Sequence, residues 1–304
     1  MSNLTKVADG FHFLEGPRWH ENKLWFSDMH GYKVHNLDAD GNLSTLAEIP
    51  EQPSGLGWLP DGSLIIVSML DRKLMKLKDG ELSIHADLSH LTPYQCNDMV
   101  IAKDGTAYVG NFGTDNVESK IHKTCLISVT QEGEVKICAD DLLFPNGTVI
   151  SPDGKELIVG ETFGGNLTSF QINESGELSK RTIWARVMPL HFKIITSIIR
   201  FLNIPLKESN STPFPVPDGI CLDSDNGIWV ASPTTAEVIR YKKGGKITDR
   251  IPTPQPAYAC MLGGKDEKEL YILTAESSNP QFCKENKTGE IYKVEVDYER
   301  AGEP

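Results

Sequence analysis

The sequence predicts an all-β fold, a six-bladed β-propeller with four-stranded blades, and three observations carry that expectation. Short Val, Ile, Leu and aromatic runs bounded by Gly, Asp, Asn and Pro recur from end to end, as strands joined by tight turns do. One internal spacing returns six times along the chain. Long helical periodicity is scarce.

The repeat is read from its turns. A residue that opens a short apolar strand is followed seven positions later by an Asp or Asn: Glu15 by Asn22, Ser54 by Asp61, Asn97 by Asp104, Asn146 by Asp153, Asp218 by Asp225, and Ala259 by Asp266. A second apolar run follows each turn, in order Leu24–Phe26, Leu64–Val67, Ala107–Val109, Leu157–Val159, Ile228–Val230 and Leu270–Leu273. The shorter intervals between copies are about 40 residues, the length of one four-stranded blade. In such a blade the first strand lines the central channel, so the six opening residues ring one channel mouth. A strand near Leu4 to Phe13 is expected to close the ring beside Ile291 to Val296, covering otherwise unpaired edges.

The whole chain, residues 1–304, is expected to form this one domain, since large all-β folds often exceed 200 residues. At 39% hydrophobic and 24% charged residues it can bury a substantial core. A net charge of −12 argues against nucleic acid or an anionic membrane as partner. The stretch Leu190 to Leu206 is apolar but carries His191, Lys193, Arg200 and Pro205, which makes it a poor spanning helix. The first residues, Met1 to Lys6, lack the apolar run of a secretory signal. The six cysteines show no CxxC spacing, and reduced thiols in a cytoplasmic protein are expected.

Phase separates a site from a turn. Pro-Asp-Gly occurs three times. Pro60-Asp61-Gly62 and Pro152-Asp153-Gly154 stand at the turn phase, where Asp and Gly make a hairpin. Pro217-Asp218-Gly219 stands at the opening phase, because its blade has its own turn at Asp225-Asn226-Gly227. Four ring positions are therefore Glu15, Asn97, Asn146 and Asp218. Two carboxylates converging in a narrow channel repel one another unless a cation neutralises them. Carboxylates and amides suit a hard ion, Ca²⁺ first, then Mg²⁺ or Mn²⁺; carboxylate oxygens also admit Zn²⁺. The ion's role stays open at this point between chemistry and holding the blades together.

These residues resemble the family of senescence marker protein, gluconolactonase and luciferin-regenerating enzyme. The matching segments are Leu14-Glu15-Gly16-Pro17-Arg18-Trp19, Asn97-Asp98-Met99, Ala107–Gly113, Phe144-Pro145-Asn146-Gly147, Leu157–Thr162, Pro217-Asp218-Gly219 and Ala259–Gly264, and they span nearly the whole chain. The resemblance implies a metal-dependent lactone hydrolase acting on a small molecule. It implies Glu15, Asn146 and Asp218 as metal ligands, Asp218 also as general base, and Asn97 as a contact to the substrate or to a metal-bound water. No GxSxG elbow, P-loop or HExxH motif offers a competing chemistry.

Two departures bear on the substrate. Sugar-lactonase members commonly carry Arg two residues before the Asn of Asn97-Asp98; here Gln95 stands there, offering a substrate an amide without positive charge. The link from about 186 to 216 is longer than the family's and places Ile194, Ile195, Ile198, Ile199 and Leu202 at helical spacing. A helical insertion between blades four and five is expected, either a lid on the channel mouth or a packing or dimer contact. Thr114 to Lys123 and Ser277 to Thr288 would crowd the same face, and Asp28, Asn111, Glu161 and Glu276 would close second strands there. The chain is expected to be a monomer or homodimer. A non-catalytic metal-stabilised binding propeller and a same-fold isomerase or cyclase are the alternatives.

Overall fold

The computed structural model describes residues 4–114, 121–189 and 214–304. The first strand, β1 (Thr5–Phe11), belongs to the last blade. Blade one is β2 (Leu14–His20), β3 (Lys23–Asp28), β4 (Lys33–Asp38) and β5 (Leu43–Glu48). Blade two is β6 (Pro53–Trp58), β7 (Leu64–Ser68), β8 (Lys73–Lys78) and β9 (Glu81–Asp87). Blade three is β10 (Cys96–Ile101), β11 (Ala107–Asn111), β12 (Thr124–Val129) and β13 (Val135–Leu142). Blade four is β14 (Pro145–Ile150), β15 (Glu156–Glu161), β16 (Asn166–Ile172) and β17 (Leu178–Arg186). Blade five is β18 (Ile220–Leu222), β19 (Gly227–Ser232), β20 (Glu237–Lys242) and β21 (Ile247–Pro252). Blade six is β22 (Ala257–Gly263), β23 (Glu269–Thr274) and β24 (Gly289–Glu295), with β1 as its outer strand.

The protein is thus an all-β six-bladed propeller with four-stranded blades. The inner strands touch in succession, β2 to β6, β6 to β10, β10 to β14, β14 to β18, β18 to β22, and β22 back to β2, which closes the ring. Their residues are buried almost throughout because each inner strand is covered by the blades on both sides, whereas β5, β9, β13 and β21 face solvent over much of their length. β1 pairs antiparallel with β24 in the register Thr5 to Lys293, so the first and last strands meet in one sheet, as expected.

The inner strands share a local irregularity that matters for the site. In five blades the register with the second strand slips where the ring residues stand: between Glu15 and Arg18, Pro53 and Leu56, Cys96 and Met99, Pro145 and Thr148, and Ala257 and Ala259. A bulge turns a side chain out of the regular alternation, here at the channel mouth. Close packing accompanies it. A Cβ on Gly147 would lie 2.5 Å from the Ile220 nitrogen, and one on Gly16, at φ 56°, 2.5 Å from the Ser54 carbonyl oxygen. Only glycine lets neighbouring inner strands approach this closely.

The expected helical insertion falls on residues that, from 190 to 213, lie outside the described ones. The same holds for 115–120 within the loop between β11 and β12. Among the described residues the one helix is α1 (Pro280–Glu285), between β23 and β24, which the periodicity did not indicate. Its signal was local: Asn279 caps the amides of Gln281 and Phe282, and Pro280 opens the first turn. Glu276 does not close a second strand, because β23 ends at Thr274 and Glu276 begins the loop to α1. Among the described residues no helix is long and apolar enough to cross a membrane. No cysteine forms a disulfide.

Candidate functional site

The six opening residues stand at equivalent places in the ring. Glu15, Ser54, Asn97 and Asn146 are each the second residue of an inner strand; Ala259 lies at the bulge of β22. Asp218 lies just before the short β18 yet keeps the ladder, donating its N–H to the Ala231 carbonyl at 3.0 Å. It is buried at 8% exposure, which sets it apart from the turn aspartates Asp61 and Asp153, both exposed. Glu15, Asn97 and Asn146 are buried as well.

Asn146 and Asp218 are in contact: Asn146 Nδ2 donates to Asp218 Oδ1 at 2.6 Å and to Thr162 Oγ1 at 3.1 Å. Thr162 in turn donates to the Pro217 carbonyl at 2.8 Å, which ties the end of β15 to the approach to blade five. With its amide hydrogens committed, Asn146 Oδ1 is buried without a hydrogen-bond partner. Glu15 accepts from the Gly16 N–H at 3.3 Å. Neither Glu15 nor Asp218 has an ion-pair partner among the described residues. Burial pushes the Glu15 carboxyl well above its usual range, and the charges of Asp218 and Asp98 push it further. Burial also raises Asp218; the bond from Asn146 opposes this and the Asp98 charge adds to it.

In the blade next to Asn146, Asn97 Oδ1 accepts from Ser54 Oγ at 3.2 Å, which leaves the Asn97 amide group as the end free to donate. Gln95 is half-buried one residue before β10, and its carbonyl accepts the Phe112 N–H at 3.0 Å. Sequence reasoning missed two other parts. Arg18 reaches from β2 to Asp98 on β10, with Nη2 2.6 Å from Asp98 Oδ1. Tyr258, packed on Phe13 with ring centroids 4.6 Å apart, is close enough to feel the charges of Asp218 and Glu15. The signal for both lay beside the ring positions, Arg18 in the segment after Glu15 and Tyr258 directly before Ala259.

The polar residues closing the second strands work as staples. Asp28 accepts the N–H groups of His12, Phe13 and Gly31, and its carboxylate lies 3.2 Å from His12 Nδ1. Glu161 accepts from Leu143 N–H, Thr168 and Arg181. Asn111 donates to the Cys125 carbonyl at 2.8 Å. Each carboxylate or amide here is matched to loop or strand donors, in contrast to the ring. Among the described residues no three His, Cys, Asp or Glu side chains converge as a metal cluster. What the ring offers is two carboxylates and an unpartnered amide oxygen, a donor set that suits a hard cation.

Comparison with known proteins agrees with this architecture. A family model described as the SMP-30/Gluconolactonase/LRE-like region matches residues 13–276. A regucalcin from Sus scrofa is 32% identical over 95% of this chain and 92% of its own length. A pentonolactonase from Haloferax volcanii is 24% identical over 90% of this chain and 85% of its own. The crystal structure of a calcium-binding protein, regucalcin from Agrobacterium tumefaciens, superposes with a TM-score of 0.74 at 18% identity, covering 99% of this chain and 97% of that one.

Proposed function

This chain belongs to the SMP-30/Gluconolactonase/LRE-like family, and from that membership we propose that it is a divalent-cation-dependent hydrolase of a lactone or related cyclic ester. Relatives named pentonolactonase and L-arabinolactonase support the reaction class. The observation that carries the reading is the buried pair Glu15 and Asp218 without a cationic partner among the described residues, beside the orphaned Asn146 Oδ1. A carboxylate pair in that setting is strongly unfavourable unless a cation joins it. Glu15, Asn146 and Asp218 would hold that ion. Ca²⁺ is the first choice, given an all-oxygen set and the similarity to a calcium-binding regucalcin; Mg²⁺, Mn²⁺ and Zn²⁺ are the others to compare.

When bound, the ion would supply Lewis-acid polarisation of the lactone carbonyl. The remaining work falls to the chain. Asp218 accepts the proton of a water as the water oxygen attacks the carbonyl carbon; the ring C–O bond then breaks, and its oxygen takes that proton back from Asp218, which gives the hydroxy acid and restores the carboxylate. The Asn146 bond to Asp218 fixes the carboxylate's orientation for this transfer. Asn97, held by Ser54, presents its amide hydrogens to the substrate. Gln95 offers a neutral amide where a sugar-acid reader would place a cation, which favours an uncharged lactone.

The test is hydrolysis of a panel of sugar, aliphatic and aromatic lactones, followed by acid release with and without chelator. Turnover should vanish on chelation and return with Ca²⁺. Asp218→Asn should lower kcat by about 100-fold or more. No turnover on any of the three lactone classes would sink the proposal, and unchanged kcat in Asp218→Asn would remove the assigned base.

A further inference from the structure

Arg18 is the least expected member of the ring's surroundings. It stands on β2 three positions after Glu15, and its side chain is 4% exposed. The guanidinium crosses three inner strands. Nε donates to the Leu56 carbonyl on β6 at 2.8 Å, Nη1 to the Pro17 carbonyl at 2.7 Å, and Nη2 to Asp98 Oδ1 at 2.6 Å and to the Met99 carbonyl. Asp98 is the neighbour of Asn97, and its Oδ1 also accepts the Met99 N–H at 2.9 Å. Asp98 charge acts on both Glu15 and Asp218, and Arg18 charge acts on Glu15. A buried ion pair seldom adds stability beyond what apolar packing would give. The charge itself therefore calls for a reason.

Resting on the cation reading above, we infer that Arg18 sets the charge of the channel: it cancels Asp98, so that Glu15 and Asp218 are left as an unbalanced pair which one divalent cation neutralises. Without Arg18 three carboxylates would share the channel, and with Asp98 neutral the guanidinium would be free to pair with Glu15 in the ion's place. Arg18 touches neither ion nor substrate in this scheme; it acts through Asp98 as a positioning residue.

The test is a charge cycle read by calorimetric titration of Ca²⁺ into chelator-stripped full-length protein, with circular dichroism to verify folding. Arg18→Met should bind Ca²⁺ about 10-fold more tightly and Asp98→Asn about 10-fold more weakly. The double variant, which leaves no unpaired charge, should return to within about 3-fold of wild type. It also serves if either single variant fails to fold. A purely structural role for the pair gives a different pattern: both single variants weaker, or the double more than about 10-fold weaker than wild type. Either result overturns the inference while leaving the cation reading intact. A wild type that takes up no divalent cation overturns the cation reading itself, and this inference with it.

Discussion

Asp218 and Asp223 flank one three-residue strand, β18, and their surroundings could hardly differ more. Asp223, at the turn end, is fully buried and fully answered. Arg240 grips it through Nε at 2.6 Å and Nη2 at 3.0 Å, and the Gly227 and Asp225 N–H groups donate to Oδ1 at 2.8 and 3.1 Å. Arg240 is itself completed by Thr248 at 2.9 Å and by the Tyr298 ring, 3.5 Å away. Asp218, at the mouth end, has one amide donor from a side chain and a second carboxylate within electrostatic reach. A buried charge supplied with every partner is costly to break, whatever it adds to stability. One left short of partners marks a candidate site.

Matched neutral substitutions at the two aspartates put that contrast to the test. Asp223→Asn should cost about 3 kcal/mol of unfolding free energy, measured by denaturant titration, because buried Arg240 loses its closest carboxylate and keeps only Asp225 at 3.1 Å and Asp249 at 3.7 Å. Asp218→Asn should do the opposite in chelator-treated protein, raising stability by about 1 kcal/mol as the repulsion with Glu15 is relieved. If both variants were destabilised alike, Asp218 would be as structural as Asp223, and the contrast would fail.

A smaller effect is expected at Ser54. Its Oγ orients Asn97 and lies on the opposite side of the ring from the Asn146–Asp218 pair. Ser54→Ala should raise KM for the hydrolysed lactone by about 3- to 10-fold with the midpoint of unfolding little moved. A change in unfolding with kinetics untouched would assign Ser54 to packing instead.

The smallest effect concerns pH and lies beside the ring. His30 is buried against Phe13, with Nδ1 3.1 Å from Gln52 Nε2. Burial, reinforced by Lys284 on α1, lowers its pKa from 6.5 to about 4. The folded protein thus keeps this ring neutral where the unfolded chain would protonate it. As pH falls from 6.5 toward 4 the unfolded state gains the proton first, and stability declines through that window. His30→Gln should flatten the decline in thermal midpoint between those pH values. An equally steep decline in the variant would place the acid sensitivity elsewhere.

Much of the ring was legible from residue spacing alone. Propeller blades repeat, and a repeat keeps phase, so Glu15, Asn97, Asn146 and Asp218 could be aligned without coordinates, and Asp218 could be separated from Asp61 and Asp153. The closing strand was legible for the same reason, because an unpaired edge needs a partner. Other features had no periodic signal. The bulge at the ring positions of five blades is a change of register between two strands, and the reach of Arg18 across three blades is a matter of distance. The C-terminal tail, where Glu303 pairs with Ile150 and Ala301 donates to the Leu222 carbonyl, also escaped notice. It lies at the turn ends of β14 and β18, the face opposite the ring.

What the linear order of residues determined, then, is the number of blades, the phase of each strand and which polar groups begin an inner strand, since alternation and turn chemistry are local properties. Which of those groups are satisfied depends on the folded ring. Asn146 and Asp218 are 72 positions apart, and their contact, the orphaned oxygen beside it and the Arg18–Asp98 bridge exist only once the blades close into a ring. Hydrogen bonding and charge balance depend on neighbours in space, and closing the ring is what chooses the neighbours.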